Sequence, residues 1–320
     1  MSIRKITGDM LIRPCDVMYV IQDNDNYANV MQMPQGAEQG NEFGDTIYEL
    51  NGFVPYHEHE KGFETFLCSG PVETYINGKR FITEKGDLIH IRPYTNHFFR
   101  HLQEGSIWRE IFQGVHMYSS MAYREFMDMY SPGINQNEEF SARRRMKYSG
   151  SYFWKEEPLV EDVSRYDVPE CKPHDWAFES YEFPGITLNL KVGRWEHEGT
   201  KEIWELAVKR GTTINWGMPH GDWDLFWVTQ GKFHVDADGQ SFTAQTQDIV
   251  NVHPYCKHKF TFIEDSKLLA MNVKSQLFRA MEEIKLLKLY HSEQAGEWAT
   301  IHKILDKHDC MITEYAYKPE

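Results

Sequence analysis

The chain has 320 residues, 41% apolar and 14% aromatic, enough to fill the cores of two ordinary domains. Lys and Arg total 34 against 48 for Asp and Glu, a formal net charge of −14, which disfavours nucleic acid and anionic membrane as partners and leaves small molecules or proteins. The five cysteines, Cys15, Cys68, Cys171, Cys256 and Cys310, are scattered without a CxxC pair, which argues against a disulfide framework or a thiolate zinc knot and fits reduced thiols in the cytoplasm.

The N-terminal stretch MSIRKITGDMLIRP lacks the apolar core of a signal peptide, and no run approaches the roughly 18 apolar residues of a membrane span. A cytoplasmic location is the expectation. Residues 46–50, 53–56 and 63–68 have the β-branched and aromatic content of strands, with Gly62 available for a turn. Between them lies PYHEHEKGFETF, which holds two histidines and three glutamates. On a helix His57 and His59 would diverge, because each residue turns the chain by about 100°, and HExxH is absent. On a strand they share a face, since side chains alternate. Glu58 has the opposite parity, the direction of Glu60 is open, and Glu64 on the next strand can fold back over both histidines. Taken alone, the segment reads equally as a solvated strand edge.

Residues 116–133 carry apolar side chains at helical spacing between a Ser cap candidate and Pro132-Gly133, which predicts a helix over the preceding strands. From 134 to about 173 polar residues dominate, and a connecting excursion with little regular structure is expected. Within it Arg143, Arg144 and Arg145 suit an anionic substrate, or more commonly a solvated charge cluster.

Sliding the chain against itself by 161 residues places Gly70, Gly78, Phe81, Asp87, Pro93, Tyr94, His97 and Phe99 on identical residues at 231, 239, 242, 248, 254, 255, 258 and 260, and His59 on His220. That is nine identities without a gap between residues 59 and 99. Asn77-Gly78 and Asp238-Gly239 are hairpin signals. Two similar antiparallel barrels or sandwiches follow. The same offset sets Met218 against His57, Leu225 against Glu64 and Phe63 against Asp224, so only His220 and His258 match. Asp222 shares parity with His220, and His220, Asp222 and His258 make a two-histidine, one-carboxylate set of the kind non-haem iron uses. A metal-free second barrel is the competing reading. Trp195, Trp204, Trp216, Trp223 and Trp227 crowd this half, and by the offset Trp227 replaces Phe66, as core filling or the wall of a pocket. Residues 275–306 suggest two helices bracketing 291–296, whose apolar faces need covering by a barrel or by a second subunit, a homodimer being one way to do so.

Gly52, His57, His59, Glu64 and Gly70, followed by Gly86, Pro93 and His97 in GDLIHIRPYTNH, resemble the two motifs of the cupin superfamily. Gly52 stands one position close to His57, Glu64 to Gly70 is one residue short, and Asn96 occupies a place where small residues are usual. The chain looks like a bicupin, and the resemblance covers about two-thirds of it. It implies an all-β-dominated fold of two double-stranded β-helix (jelly-roll) barrels with a few accessory helices: an N-terminal barrel over 1–115, a helix and connection over 116–175, a C-terminal barrel over 176–274 and helices over 275–320.

It also implies that His57, His59, Glu64 and His97 bind a divalent metal ion. Fe(II) leads the expectation, with Mn(II), Ni(II), Co(II) or Zn(II) as alternatives that composition cannot separate. His101 shares the parity of His97, so His101 and Glu64 are the candidate acid/base groups, the bland alternative for His101 being a satisfied polar group at the barrel mouth. The leading functional expectation is an Fe(II) dioxygenase acting on a small organic substrate. A non-redox isomerase, lyase or decarboxylase is the alternative, and a non-catalytic ligand-binding bicupin the third. No helix-turn-helix with a basic face supports a DNA-acting form.

Overall fold

The computed structural model describes residues 4–5, 10–13, 16–17, 19–23, 27–32, 41–48, 50–59, 62–113, 146–147, 160–199, 201–216, 224–252, 255–272, 276–310 and 312–319. The chain divides into two compact units, Cys15–Trp176 and Ala177–Glu320, with Asp9–Pro14 counted in the second and Met1–Gly8 in the first.

The first unit is built from β1 (Tyr19–Asp23), β2 (Tyr27–Gln32), β3 (Asn41–Tyr48), β4 (Phe53–His59), β5 (Phe63–Cys68), β6 (Val72–Ile76), β7 (Lys79–Thr83), β8 (Leu88–Ile91), β9 (His97–His101) and β10 (Ser106–Gln113). One sheet runs Met146–Lys147, β4, β9, β6, β7, Glu161–Asp162, and the other runs Cys171–Lys172, β8, β5, β10, β3, β2, β1. The barrel interior is filled by the inward positions of both sheets, among them Tyr48, Phe66, Cys68, Ile76, Ile89, Phe99 and Trp108. Alternation explains the choice, since neighbours such as Thr65 and Leu67 point the other way.

The second unit repeats the plan. Its larger sheet orders β11 (Glu179–Phe183), β12 (Ile186–Val192), β13 (Glu202–Val208), β20 (Ser266–Asn272), β15 (Asp224–Gln230), β18 (Ile249–Val252) and Leu11–Ile12. Its smaller sheet orders β17 (Gln240–Gln245), β16 (Lys232–Ala237), β19 (His258–Phe262), β14 (Thr212–Trp216) and β21 (Ile312–Tyr317). The expected hairpin turns are present: Asn77 and Gly78 have φ of 49° and 82°, and Asp238 and Gly239 have 46° and 74°, the double left-handed pair that matches strand twist. Asp87 and Asp248 likewise play one role, accepting the N–H of Glu84 (2.8 Å) and of Gln245 (2.9 Å) to close the turn before β8 and β18.

Two-residue strands complete both sheets at matched places. Cys171–Lys172 pairs with Ile89 and Leu88, while Leu11–Ile12 pairs with Val250 and Ile249. The segment ahead of the second barrel therefore edges the first barrel, and the N-terminal segment edges the second, where Met10 is buried in the core. Part of the expected irregular connection is pinned in the same way: Asp87 Oδ1 accepts the N–H of His174 at 2.9 Å.

The two expected C-terminal helices form as α1 (Leu277–Tyr290) and α2 (Trp298–Lys307). Ala280, Met281 and Ile284 of α1 and Ile304 and Leu305 of α2 are buried, whereas Leu289 is 70% exposed. Buried Glu202 caps α1 from outside the helix, its Oε2 accepting the Phe278 N–H at 3.0 Å and the Trp204 indole N–H at 2.9 Å. The expected helix at 116–133 and the Arg143–Arg145 cluster lie outside the described residues, as does Cys15. The other four cysteines are buried and outside any disulfide.

Candidate metal centre

β4 presents His57 and His59 on one face, as strand parity requires, with ring centroids 4.8 Å apart. β9 runs antiparallel beside it and sets its first residue, His97, opposite His57, with centroids 4.1 Å apart. Glu64 comes from β5, in the opposing sheet. The three imidazoles therefore belong to one wall of the barrel and the carboxylate to the other, all four buried. Their ligating atoms lie within 4.8 Å of one another. Two ligands each about 2.1 Å from one ion stand at most about 4.2 Å apart, so a small inward adjustment would close this set on an ion.

Local bonds aim these groups. The His97 Nδ1–H donates to the Thr95 carbonyl at 2.8 Å, which fixes the tautomer and turns Nε2 inward. His97 Nε2 then lies 2.9 Å from Glu64 Oε2, and His59 Nε2 touches Glu64 Oε1. The Glu64–His97 contact lacks the angles of a hydrogen bond, as expected where lone pairs converge on a shared point. Burial pushes the Glu64 carboxyl up, but the attraction of His59 and His97 outweighs it, and the net shift is down. An ionised carboxylate held in a buried barrel beside three imidazoles fits a divalent cation.

His101 is not part of this cluster. It faces the same interior, but four residues along β9, about 13 Å from His97 at strand rise. There it stacks on Tyr48 (centroids 3.7 Å), meets Trp108 edge-on, and bonds through Nδ1 to Ser106 Oγ at 2.8 Å. Burial lowers its pKa from 6.5 to about 3, which favours the neutral ring in this packed place.

The second barrel corrects the constant-offset alignment. Ile91 pairs with Glu64 in the first barrel, and Val252, its counterpart, pairs with Asp224. Phe112 also pairs with Glu64, and Asn272 with Asp224. The residue matching Glu64 is therefore buried Asp224, not Leu225. Phe226 matches Phe66, and Trp227 does not take that interior place. The cause is one extra residue: the β15–β20 register shifts between Val228 and Gln230, a bulge that an ungapped comparison cannot see.

By the same pairing, Trp216 stands opposite His258 where His57 stands opposite His97. Its indole stacks on His258 with centroids 4.8 Å apart. His258 keeps the tether, its Nδ1–H donating to the Cys256 carbonyl at 3.0 Å. His220, Asp222 and Trp223 lie outside the described residues. Among the described residues, the four groups of the first barrel are the set gathered closely enough for one ion.

No protein-family model matches the chain, and no curated protein matches it. Solved structures do. Bacillus subtilis oxalate decarboxylase, in a structure described in terms of its Mn(II) centres, has a TM-score of 0.53 at 15% identity, covering 99% of this chain and 90% of its own. Two point-mutant structures of the same enzyme score 0.52 and 0.54 at 14% identity, covering 90% and 99% of this chain and 85% and 90% of theirs. Identities this low speak to architecture alone. With the two barrels, the matched turns and the buried ligand cluster, they make the chain a bicupin in fold.

Proposed function

We propose that the protein is a metal-dependent bicupin enzyme that acts on a small organic acid by decarboxylase or lyase chemistry, with its centre in the first barrel. The observation that carries this reading is the buried His57, His59, Glu64 and His97 set, drawn from both walls of the barrel. These four residues would hold a divalent ion, which would supply Lewis-acid polarisation of a bound carboxylate or carbonyl oxygen.

The chain's own residues do the rest. The Thr95 tether keeps the His97 lone pair aimed inward, and Glu64 supplies the negative charge that balances the site. Phe66, Phe99 and Trp108 are packed ring against ring at 4.6–4.9 Å on the interior side, with Phe99 against His97 at 5.5 Å. This filling favours a compact substrate. The similarity to a decarboxylase described by its Mn(II) centres favours this chemistry and Mn(II) over the Fe(II) dioxygenase expectation.

The test is reconstitution of metal-stripped protein with Mn(II) or Fe(II), followed by assays of oxalate, short dicarboxylates and 2-oxo acids with and without oxygen. Release of carbon dioxide with Mn(II) and without oxygen consumption is expected. Turnover that needs Fe(II) and consumes oxygen would return the assignment to a dioxygenase, and ion binding without turnover of any acid would leave a ligand-binding bicupin.

A further inference from the structure

The turn that delivers His97 adopts a backbone its sequence disfavours. Tyr94 has φ of 59°, the left-handed region that a Cβ penalises, and it is 67% exposed, so little packing offsets the strain. This conformation does two things. It directs the Tyr94 N–H to the His59 carbonyl at 2.7 Å, and it leaves the next carbonyl, that of Thr95, 2.8 Å from His97 Nδ1. One turn thus holds a ligand of β4 by its backbone and a ligand of β9 by its ring. The turn is itself anchored to the Asn77-Gly78 hairpin, the Asn96 N–H donating to Asn77 Oδ1 at 3.1 Å and the Asn77 N–H to the Asn96 carbonyl at 2.9 Å. The second barrel repeats the device: Tyr255 has φ of 62°, is 68% exposed, and precedes the Cys256 carbonyl that tethers His258.

We propose that Tyr94 is a positioning residue whose left-handed backbone sets the spacing of His59 and His97 and so tunes ion affinity at the first centre. The inference rests on the metal-centre reading above, and the experiment separates the two. The probe is Mn(II), titrated against a chelator, with the first centre defined as the binding lost in His97→Ala; thermal melting is followed in parallel. Tyr94→Gly keeps the N–H and suits positive φ, and is expected to bind within about threefold of wild type. Tyr94→Val keeps the N–H but resists this conformation, and is expected to bind about tenfold or more weakly, the range seen when groups that orient ligands are lost. Tyr255→Val imposes the same strain in the other barrel, and is expected to lower the melting temperature as much as Tyr94→Val while leaving the first centre unchanged. Equal affinity in folded Tyr94→Val and wild type would overturn the proposal, as would equal weakening by Tyr255→Val. If Tyr94→Val does not fold, Tyr94→Ala imposes a milder version, expected to weaken binding about threefold, and wild-type affinity in that variant would overturn the proposal equally. Wild-type protein that takes up no ion would instead sink the metal centre on which it depends.

Discussion

The first barrel gathers three histidines and a glutamate at the point where the second sets a tryptophan, an aspartate and one tethered histidine. The frames are nearly superposable in their bonding: the same left-handed turns, the same aspartate closing the turn before β8 and β18, the same carbonyl tether on His97 and His258. Among the described residues, what differs is the side chain opposite the tethered histidine, His57 against Trp216, and the acidic one, Glu64 against Asp224. The frame is kept with different side chains at these positions, so the fold itself does not depend on the ligand set.

The largest expected effect breaks the comparison most directly. His97→Ala should lower affinity for Mn(II) at the first centre by about a hundredfold or more, since it removes a ligand and leaves Glu64 to be balanced by fewer partners. His258→Ala, the matched change in the second barrel, should leave that centre intact. Ion content and chelator competition on the two purified variants decide it; equal losses would mean that the barrels are not functionally distinct.

Trp216→His sharpens the same comparison from the other side. It sets an imidazole at the position matching His57, opposite His258, and exchanges a buried indole for a smaller ring. Second-barrel affinity for Mn(II) should rise about tenfold. Stability should fall by roughly 2–3 kcal/mol, because the lost indole leaves space that the core cannot fully close. Titration calorimetry and chemical denaturation on one preparation measure both.

How much of this was legible in the sequence follows from the range of each signal. His57 and His59 were readable as a pair because alternation along a strand is local. His97 and the turn residues were readable because the repeat preserves them. Asp224 was not, since the bulge after Val228 shifts the strand by one residue and a bulge has no residue signature of its own. His101 was placed on the correct face, but parity carries no information on distance along the strand, and four residues of rise remove it from the His57, His59, Glu64 and His97 cluster. The edge strands Leu11–Ile12, in the second unit, and Cys171–Lys172, in the first, were invisible, because two residues are too few to show a period.

His101 in the first unit and His197 in the second are buried histidines whose pKa is lowered by burial, which makes acid stability a further point of comparison. Burial lowers His101 to about 3, and burial with the charge of Lys201 lowers His197 to about 3. The folded pKa lies below the unfolded value of 6.5, so below that pH the unfolded chain binds the proton that the folded chain refuses. The stability from each group is therefore intact above about pH 6.5 and lost as pH falls toward 3, at up to about 1.4 kcal/mol per pH unit per histidine. His101→Asn and His197→Asn should each flatten the pH dependence of urea unfolding between pH 6 and pH 4. A slope that neither variant changes would place the acid sensitivity elsewhere.

The smallest effect concerns a turn where the barrels differ by one residue. Gly86 has φ of 92° ahead of Asp87, and Gln247 has φ of 76° at the matching place ahead of Asp248. Glycine tolerates that backbone freely, whereas glutamine holds it at a cost of about 1–2 kcal/mol, partly offset by the larger entropy glycine loses on folding. The Gln247 N–H donates to the Val228 carbonyl as the Gly86 N–H does to the Cys68 carbonyl, so exchange of the side chain keeps the bond. Gln247→Gly should therefore raise stability by about 0.5 kcal/mol. Gly86→Gln should lower it by more, because a Cβ at residue 86 would lie 3.2 Å from His174 Cβ and would press on the segment that Asp87 holds. If denaturant midpoints moved equally for both changes, the strain would lie in the turn shape alone and not in what each barrel packs against it.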